Sequence, residues 1–198
     1  MEEKRGTLIE AESLLLLGSG AIERGAYVEA LTLVHGIIYQ FPTNGLAYNL
    51  KGWLYANVFN NLKEADESYR LALELSPEHV PTYLNYAVLL NRLEKFDALT
   101  ELLNKALHLQ GIDKAQVYHE FGIMYEKRGK YEDAARAYLE AIRHTLKTEE
   151  VIYFNDAIKR CTLKREVLAG PYRPGDRPFF NVDARRTVGA EKQIASSS

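Results

Sequence analysis

The stretch YEKRGKYEDAARAYLEAIRH, residues 125–144, contains two helical patterns separated by Gly129. After this glycine, Ala134, Tyr138 and Ala141 recur at the spacing of one helix face. A glycine between two helical segments ends the first helix easily, because it adopts a positive φ without a steric penalty. The stretch therefore predicts a helix, a tight turn and a second helix.

Similar patterns occur earlier in the chain, at YVEALTLVHGII and LKEADESYRLAL. Small or apolar residues mark the repeat in three series, which are Gly18, Gly52, Ala87 and Gly122, then Ala30, Ala65, Leu99 and Ala134, and finally Ile37, Ala72, Ala106 and Ala141. Within each series the neighbours are 34 or 35 residues apart. Three series in the same register predict four copies of one helix pair.

Helix pairing explains the small residues, because they allow two antiparallel backbones to approach closely. A single pair cannot bury its apolar face, so neighbouring pairs are expected to stack into a continuous core. Pro42 and Pro77 are expected to end the second helices of the first two copies.

The pattern resembles the tetratricopeptide repeat, whose order of small, aromatic and alanine positions is matched best in residues 115–145. The resemblance covers residues 11 to about 165. It implies an all-α, right-handed superhelix (an α-solenoid) of four helix-turn-helix repeats followed by a capping helix.

The expected organisation is a lead-in at residues 1–10, copies at 11–44, 45–79, 80–114 and 115–148, a capping helix at 149–169 and a tail at 170–198. The tail is rich in proline and glycine and lacks a helical period, which is typical of a flexible segment. Phe179 and Phe180 are expected to dock in the groove of this chain or of a second copy, unless the tail has no specific contact.

The resemblance further implies that the first helices of the pairs line a concave groove. The candidate partner-binding residues on this surface are Leu15, Asn49, Trp53, Leu84, Val88, Asn91, His119, Ile123, Phe154 and Ile158. Trp53 is the expected anchor, since aromatic residues dominate interface energetics. Asn49, Asn91 and His119 are the expected hydrogen-bonding partners of a ligand backbone. The alternative is that these side chains pack between neighbouring helices.

Composition excludes several classes of function. The formal charge of −2 provides no overall basic field for nucleic acid. Cys161 is the only cysteine, so no disulfide framework or multi-cysteine zinc site is expected. No catalytic constellation, metal site or cofactor motif occurs, and no run of residues has the length and apolarity of a membrane span. These features are typical of a cytoplasmic protein.

The sequence therefore predicts a non-catalytic adaptor or scaffold whose partner is a protein or peptide segment with an apolar stripe. Two related alternatives are a chaperone-like protein that shields an unassembled or secreted subunit, and a structural subunit that uses its outer face. An RNA-reading repeat would require a basic inner face and repeated polar pairs. An enzyme would have to act through His119 or Cys161.

Overall fold

The computed structural model describes residues 2–170, with side chains from Glu10 onward, and every regular element in this part is an α-helix. The helices are α1 (Glu2–Glu23), α2 (Tyr27–Gln40), α3 (Gly45–Asn57), α4 (Leu62–Leu75), α5 (Val80–Arg92), α6 (Phe96–Ala106), α7 (Lys114–Lys127), α8 (Tyr131–His144) and α9 (Thr148–Ala169). The all-α prediction is confirmed. The expected docking residues of the tail, Phe179 and Phe180, lie outside the described residues.

Consecutive helices pair as α1 with α2, α3 with α4, α5 with α6 and α7 with α8. Each second helix also contacts the first helix of the next pair, and the first helices contact one another along the chain. The lead-in predicted for residues 1–10 is not a separate element, because α1 already begins at Glu2. Helical backbone before residue 11 requires no small or aromatic residue, so the repeat pattern carried no sign of it.

The chain divides into two units, Met1–Arg165 and Glu166–Ser198. The first unit holds the four helix pairs and most of α9. The second unit is described only as far as Gly170, where its residues are exposed and continue α9 to Ala169.

Side-chain caps set the beginning of three helices. The side-chain Oδ1 atoms of Asn44, Asn61 and Asp113 accept hydrogen bonds from backbone N–H groups at 3.0, 3.3 and 3.2 Å. Each bond satisfies one of the N–H groups that a helix leaves unpaired in its first turn. The starts of α3, α4 and α7 are therefore encoded locally.

The turn inside each pair places one residue in the left-handed region. These residues are Gly25 at φ 73°, Asn60 at 51°, Glu94 at 56° and Gly129 at 70°. They occupy the same register in successive copies, although only two are glycine. Asparagine tolerates this conformation well, whereas glutamate has no side-chain compensation for the close approach of its Cβ to the backbone. The turn of the third pair is therefore the most strained of the four.

Replacing Glu94 with glycine is expected to stabilise the fold by about 0.5 to 1 kcal/mol, because glycine removes the Cβ penalty at positive φ. The reciprocal control is Gly129→Ala, where a new Cβ meets no atom within 4 Å, so only the φ penalty acts. Urea unfolding followed by circular dichroism measures both effects. A Glu94→Gly midpoint below that of the wild type would contradict this account of the turn.

The closest approach of paired helices occurs where a glycine faces a tyrosine ring. A Cβ added to Gly52 would lie 2.8 Å from Tyr69, and one added to Gly122 would lie 2.5 Å from Tyr138. Both rings are almost fully buried. At the corresponding position of the first pair, Gly18 has more space, since its nearest neighbours would lie at 3.8 and 3.9 Å. The glycines of the second and fourth pairs are therefore required by packing.

The other two series of repeat positions form the core between the helices. Ala30, Ala65, Leu99 and Ala134, and likewise Ile37, Ala72, Ala106 and Ala141, are all 0% exposed. All of them except Ile37 and Ala72 belong to one of three clusters of apolar side chains along the chain. Stacking of the pairs thus supplies the burial that no single pair achieves.

Gly52→Ala is expected to destabilise the protein by about 1 to 3 kcal/mol, because the added methyl group overlaps the Tyr69 ring. Gly122→Ala is expected to behave in the same way against Tyr138. Gly18→Ala is the matched control and should be neutral or stabilising by up to about 1 kcal/mol, since alanine favours helix and has room here. Equal losses in all three variants would show that helix pairing does not depend on the tyrosine contacts.

Candidate functional site

The first helices of the pairs form one continuous layer, because α1 contacts α3, α3 contacts α5 and α5 contacts α7. We call the surface of this layer that carries the eight candidate residues of α1, α3, α5 and α7 the inner face, and the other two candidates, Phe154 and Ile158, lie on α9. Nine of the ten residues fall into two series at a spacing of 34 or 35 residues, one from Leu15 to Phe154 and one from Trp53 to Ile158, and Asn91 belongs to neither. The structure separates them into buried, half-buried and exposed members.

A cleft of about 190 Å³ opens on the inner face between α3 and α5. Trp53 and Asn57 line it from α3, and Val88 and Arg92 line it from α5, with Tyr69 also contributing. We call it the tryptophan cleft. Val88 is 44% exposed, while Trp53 is half-buried with part of its surface against the core. The structure thus brings Trp53 and Val88 together, as a shared binding surface requires.

Asn49 and Asn91 do not face a ligand, since both are buried. The Asn85 Nδ2 donates to Asn49 Oδ1 at 3.1 Å, and Asn91 Nδ2 donates to Glu120 Oε2 at 2.6 Å and to the Glu120 carbonyl at 3.0 Å. These bonds join neighbouring copies. Burial raises the pKa of Glu120, although its bond from Asn91 opposes the shift. These two asparagines were expected to bind a ligand backbone, but in the structure they form hydrogen bonds between neighbouring repeats.

The remaining apolar candidates are divided between core and surface. Phe154 is 3% exposed and packs on Tyr138 and His119. Leu84 and Ile158 are half-buried against the core clusters, and Leu15 and Ile123 are also half-buried. The alternative of packing between helices thus holds for Phe154, Leu84 and Ile158.

Two cations on the inner face cap the helix of the preceding copy. Arg92 Nη1 donates to the carbonyl of Ala56 at 2.7 Å, and Lys127 Nζ donates to the carbonyl of Asn91 at 2.6 Å. A cation at the carboxyl end of a helix donates hydrogen bonds to free carbonyl groups and interacts favourably with the negative end of the helix dipole. Sequence reasoning missed these residues, although their spacing of 35 was a usable signal.

A second cleft of about 310 Å³ lies near α7 and α9, with Ile123 and Tyr153 among its lining residues. The carboxylate of Glu126 also lines this cleft and accepts hydrogen bonds from several of the other residues. Arg160 donates to Glu126 through Nε and Nη2, both at 2.8 Å, and Lys164 Nζ donates to the same carboxylate at 2.8 Å. The Tyr138 hydroxyl adds a bond at 3.1 Å. We call these four residues (Glu126, Tyr138, Arg160 and Lys164) the glutamate cluster.

The glutamate cluster holds α9 against the fourth pair by charge. The hydrogen bonds from Arg160, followed by those from Lys164, lower the pKa of Glu126 from 4.5 to about 2, against the opposing effect of burial. A bidentate arginine–carboxylate pair is among the stronger hydrogen-bonded contacts in proteins. This charge pairing complements the apolar contact of Phe154, Ala157 and Cys161.

Acid is expected to weaken the glutamate cluster. Because the folded pKa of Glu126 is depressed, its contribution is fully present above pH 4.5 and disappears as pH falls through about 2. Glu126→Gln should therefore lower stability at pH 7 by about 1 to 2 kcal/mol, allowing for the solvent around both cations. The variant should also lose less stability than the wild type between pH 4.5 and pH 2.

Thermal unfolding at pH 7 and pH 3 measures this effect, with Glu101→Gln on the exposed surface of α6 as the control. Glu101→Gln should follow the wild type at both pH values. An unchanged stability of Glu126→Gln at pH 7 would show that the apolar contact alone holds α9.

Neither residue on which catalysis would depend is arranged as a nucleophile or base. Burial raises the pKa of Cys161, which opposes the thiolate that a reactive cysteine needs. His119 lies against Tyr153 and Phe154, and one of its ring nitrogens is 3.2 Å from the Tyr153 hydroxyl. Burial lowers the pKa of His119, partly opposed by Glu150 and reinforced by Arg160. The imidazole is therefore part of an aromatic contact between α7 and α9.

No group of three or more histidine, cysteine, aspartate or glutamate side chains in the described part of the chain is placed to hold a metal ion. No helix in the same part has the length and apolarity needed to cross a bilayer.

Comparison with known proteins identifies the repeat. Residues 46–79 match the sequence model of the tetratricopeptide repeat, and this range is almost the whole second copy. No curated protein sequence matches the chain. The tetratricopeptide repeat predicted from the sequence is thus confirmed in the second copy.

Three solved structures illustrate the likeness in fold. PilF of Pseudomonas aeruginosa has a TM-score of 0.69 at 16% identity, over 85% of this chain and 80% of PilF. TTC0263 of Thermus thermophilus, a thermophilic protein of the same repeat, has a TM-score of 0.64 at 18% identity, over 75% and 81%. PilW, described as a type IV pilus biogenesis factor, has a TM-score of 0.64 at 17% identity, over 82% and 79%. The superhelix of paired helices predicted from the sequence is confirmed.

Proposed function

We propose that this chain, a tetratricopeptide repeat protein, is a non-catalytic adaptor that holds a segment of another protein on its inner face. Proteins built from this repeat mediate interactions between proteins, which supports the general role. The partner segment is proposed to lie across the first helices and to place an apolar side chain in the tryptophan cleft.

The tryptophan cleft is the observation that carries the proposal. Val88 is 44% exposed beside Trp53. Burying this apolar side chain against a partner would contribute favourably to the free energy of binding. An aromatic ring next to an exposed aliphatic side chain, within a concavity, is the usual composition of an interface anchor site. The polar side chains of Asn57 and Arg92 at the same cleft provide the rim that such a site needs.

Neighbouring residues extend the proposed contact beyond one cleft. Ile123 and Tyr153 line the second cleft, near α7 and α9, with Lys127, Arg160 and Lys164 around them. A ligand that spans the tryptophan cleft and the second cleft would contact apolar surface in the former and cations in the latter. This arrangement supports a segment with an apolar stripe as the bound chemistry.

Val88→Asp is expected to reduce partner binding at least about tenfold, because it places a charge in the tryptophan cleft. Leu139→Asp is the matched control, since Leu139 is 43% exposed on α8 and lines neither the tryptophan cleft nor the second cleft. Affinity purification from host lysate with the full chain identifies the partner. Changes in the fluorescence of Trp53, the only tryptophan, then measure binding of segments of that partner.

The two variants also separate the adaptor from a structural subunit. Loss of partners in Val88→Asp alone, at unchanged helical content, supports binding on the inner face. Loss in Leu139→Asp alone would refute the adaptor and indicate assembly through the outer helices. Retention of all partners by both variants would refute the inner face as the binding surface.

A further inference from the structure

A cleft of about 350 Å³ lies between α6, α7 and α8. Tyr118, Phe121 and Tyr125 of α7 line it, together with Asp133 and Glu140 of α8. We call it the outer cleft. Phe121 and Ile123 are two positions apart, which corresponds to about 200° around a helix. The outer cleft is therefore on the opposite side of α7 from the inner face.

The preceding pair junction shows how this space is normally closed. There the Tyr86 hydroxyl donates to Asp66 at 2.9 Å, and Lys95 Nζ donates to the other oxygen of Asp66 at 2.9 Å. Leu102 of α6 is 7% exposed in the same core cluster as Tyr86. A bonded carboxylate and a branched side chain thus occupy this position between the second and third pairs.

At the junction of the third and fourth pairs, the carboxylate, the tyrosine hydroxyl and the leucine side chain that fill this space are all absent. Phe121 replaces Tyr86 and has no hydroxyl, and Thr100 stands in the register of Asp66. The Thr100 hydroxyl donates instead to the carbonyl of Phe96 at 2.8 Å, within its own helix. Ala137 replaces Leu102 and is three carbon atoms smaller. The space that is closed between the second and third pairs is therefore open between the third and fourth pairs.

The wall of the outer cleft formed by α7 is aromatic. The rings of Phe121 and Tyr125 are stacked, with centroids 6.2 Å apart and planes 17° apart. Tyr118 is held in place by a second stack on His144, with centroids 5.4 Å apart. Aromatic faces attract cations through their quadrupole, and the planar guanidinium of arginine stacks on them especially well.

The rim provides negative charge next to these rings. Asp133, Arg136 and Glu140 line the outer cleft, and Glu140 is paired with Arg143, whose Nη1 donates to it at 2.6 Å. Glu132, 3.9 Å from Arg136, is a third carboxylate of this group, so its three carboxylates and two guanidiniums leave an excess of one negative charge. Arg136 lies 3.3 Å from Asp133, and its side chain is 70% exposed. Exposed pairs of this kind contribute little and exchange readily. The side chain of Arg143 beside Glu140 is likewise 62% exposed. An incoming cation can therefore take the place of Arg136 beside Asp133 and of Arg143 beside Glu140.

We propose that the outer cleft binds a cationic side chain of a partner protein, arginine more tightly than lysine. The guanidinium stacks on the rings of Phe121 and Tyr125, while its N–H groups donate to the carboxylates of Asp133 and Glu140. The methylene groups of the bound side chain cover the remaining aromatic surface. This site is independent of the tryptophan cleft and gives the protein a second binding surface on its outer side.

The test is titration of the isotope-labelled full chain with N-acetyl-arginine amide, followed by backbone amide shifts in α7 and α8. N-acetyl-norleucine amide is the neutral control probe, since it presents methylene groups without the charge. The arginine probe is expected to bind about fivefold more tightly than the neutral probe. Equal binding of both probes, or shifts in neither titration, would overturn the proposal.

Variants locate the effect. Asp133→Asn combined with Glu140→Gln should remove the preference for the arginine probe. Ala137→Leu restores the side chain of the preceding junction and should abolish shifts in α7, with thermal unfolding as the check on folding. Glu74→Gln, which removes an exposed carboxylate on α4 outside the outer cleft, should bind the probe like the wild type. An undiminished preference in the Asp133–Glu140 double variant would overturn the proposal even if Ala137→Leu fails to fold.

Discussion

The contact between a glycine of one helix and a tyrosine ring of its partner is the tightest constraint on helix pairing, and it sets the geometry of the second and fourth pairs. At Gly52 with Tyr69, and at Gly122 with Tyr138, the ring lies where any other side chain would begin. The helices of these pairs therefore have one possible register. A fixed pair presents the same apolar edge to each neighbour, and this allows copies of 34 or 35 residues to stack into one core.

Polar contacts then join one copy to the next. Arg92 and Lys127 cap the helices before them, and Asn91 bonds Glu120 across a junction. These groups lie on the layer of first helices, where a polar side chain would otherwise be available to a partner. This surface therefore contributes both contacts between copies and the proposed contacts with a partner, and the buried asparagines are used for contacts between copies. What remains for a partner is the exposed apolar surface around Val88 and the half-exposed cations at the α9 end.

The two proposed binding surfaces have a common physical origin in departures from perfect repetition. Tryptophan at position 53, where the first copy has Ser19, makes one wall of the tryptophan cleft. Ala137 and Thr100, in place of the leucine and aspartate of the preceding junction, leave the outer cleft open. A uniform array would close both spaces or repeat them at every junction. Local irregularity therefore gives a repetitive scaffold distinct sites.

The sequence by itself determined the number of pairs, their register and most of the core. The three series of small residues are buried as expected, and Gly25 and Gly129 end their helices at positive φ. Periodicity suffices for this, because each position is defined relative to its own helix and to the next copy. It also placed Trp53 and Val88 on one surface, since residues in equivalent positions of adjacent copies are neighbours.

Only the tertiary structure decided which polar candidates are free and which are bound inside. Asn49 and Asn91 occupy groove positions by spacing, yet Asn85 and Glu120 of the following copies engage them. The glutamate cluster depends on a helix 34 to 38 residues away, and the outer cleft depends on three helices at once. Hydrogen bonds and cavities are set by distances of a few ångströms between separate helices. A pattern along one chain specifies faces, whereas those distances exist only after the faces have packed.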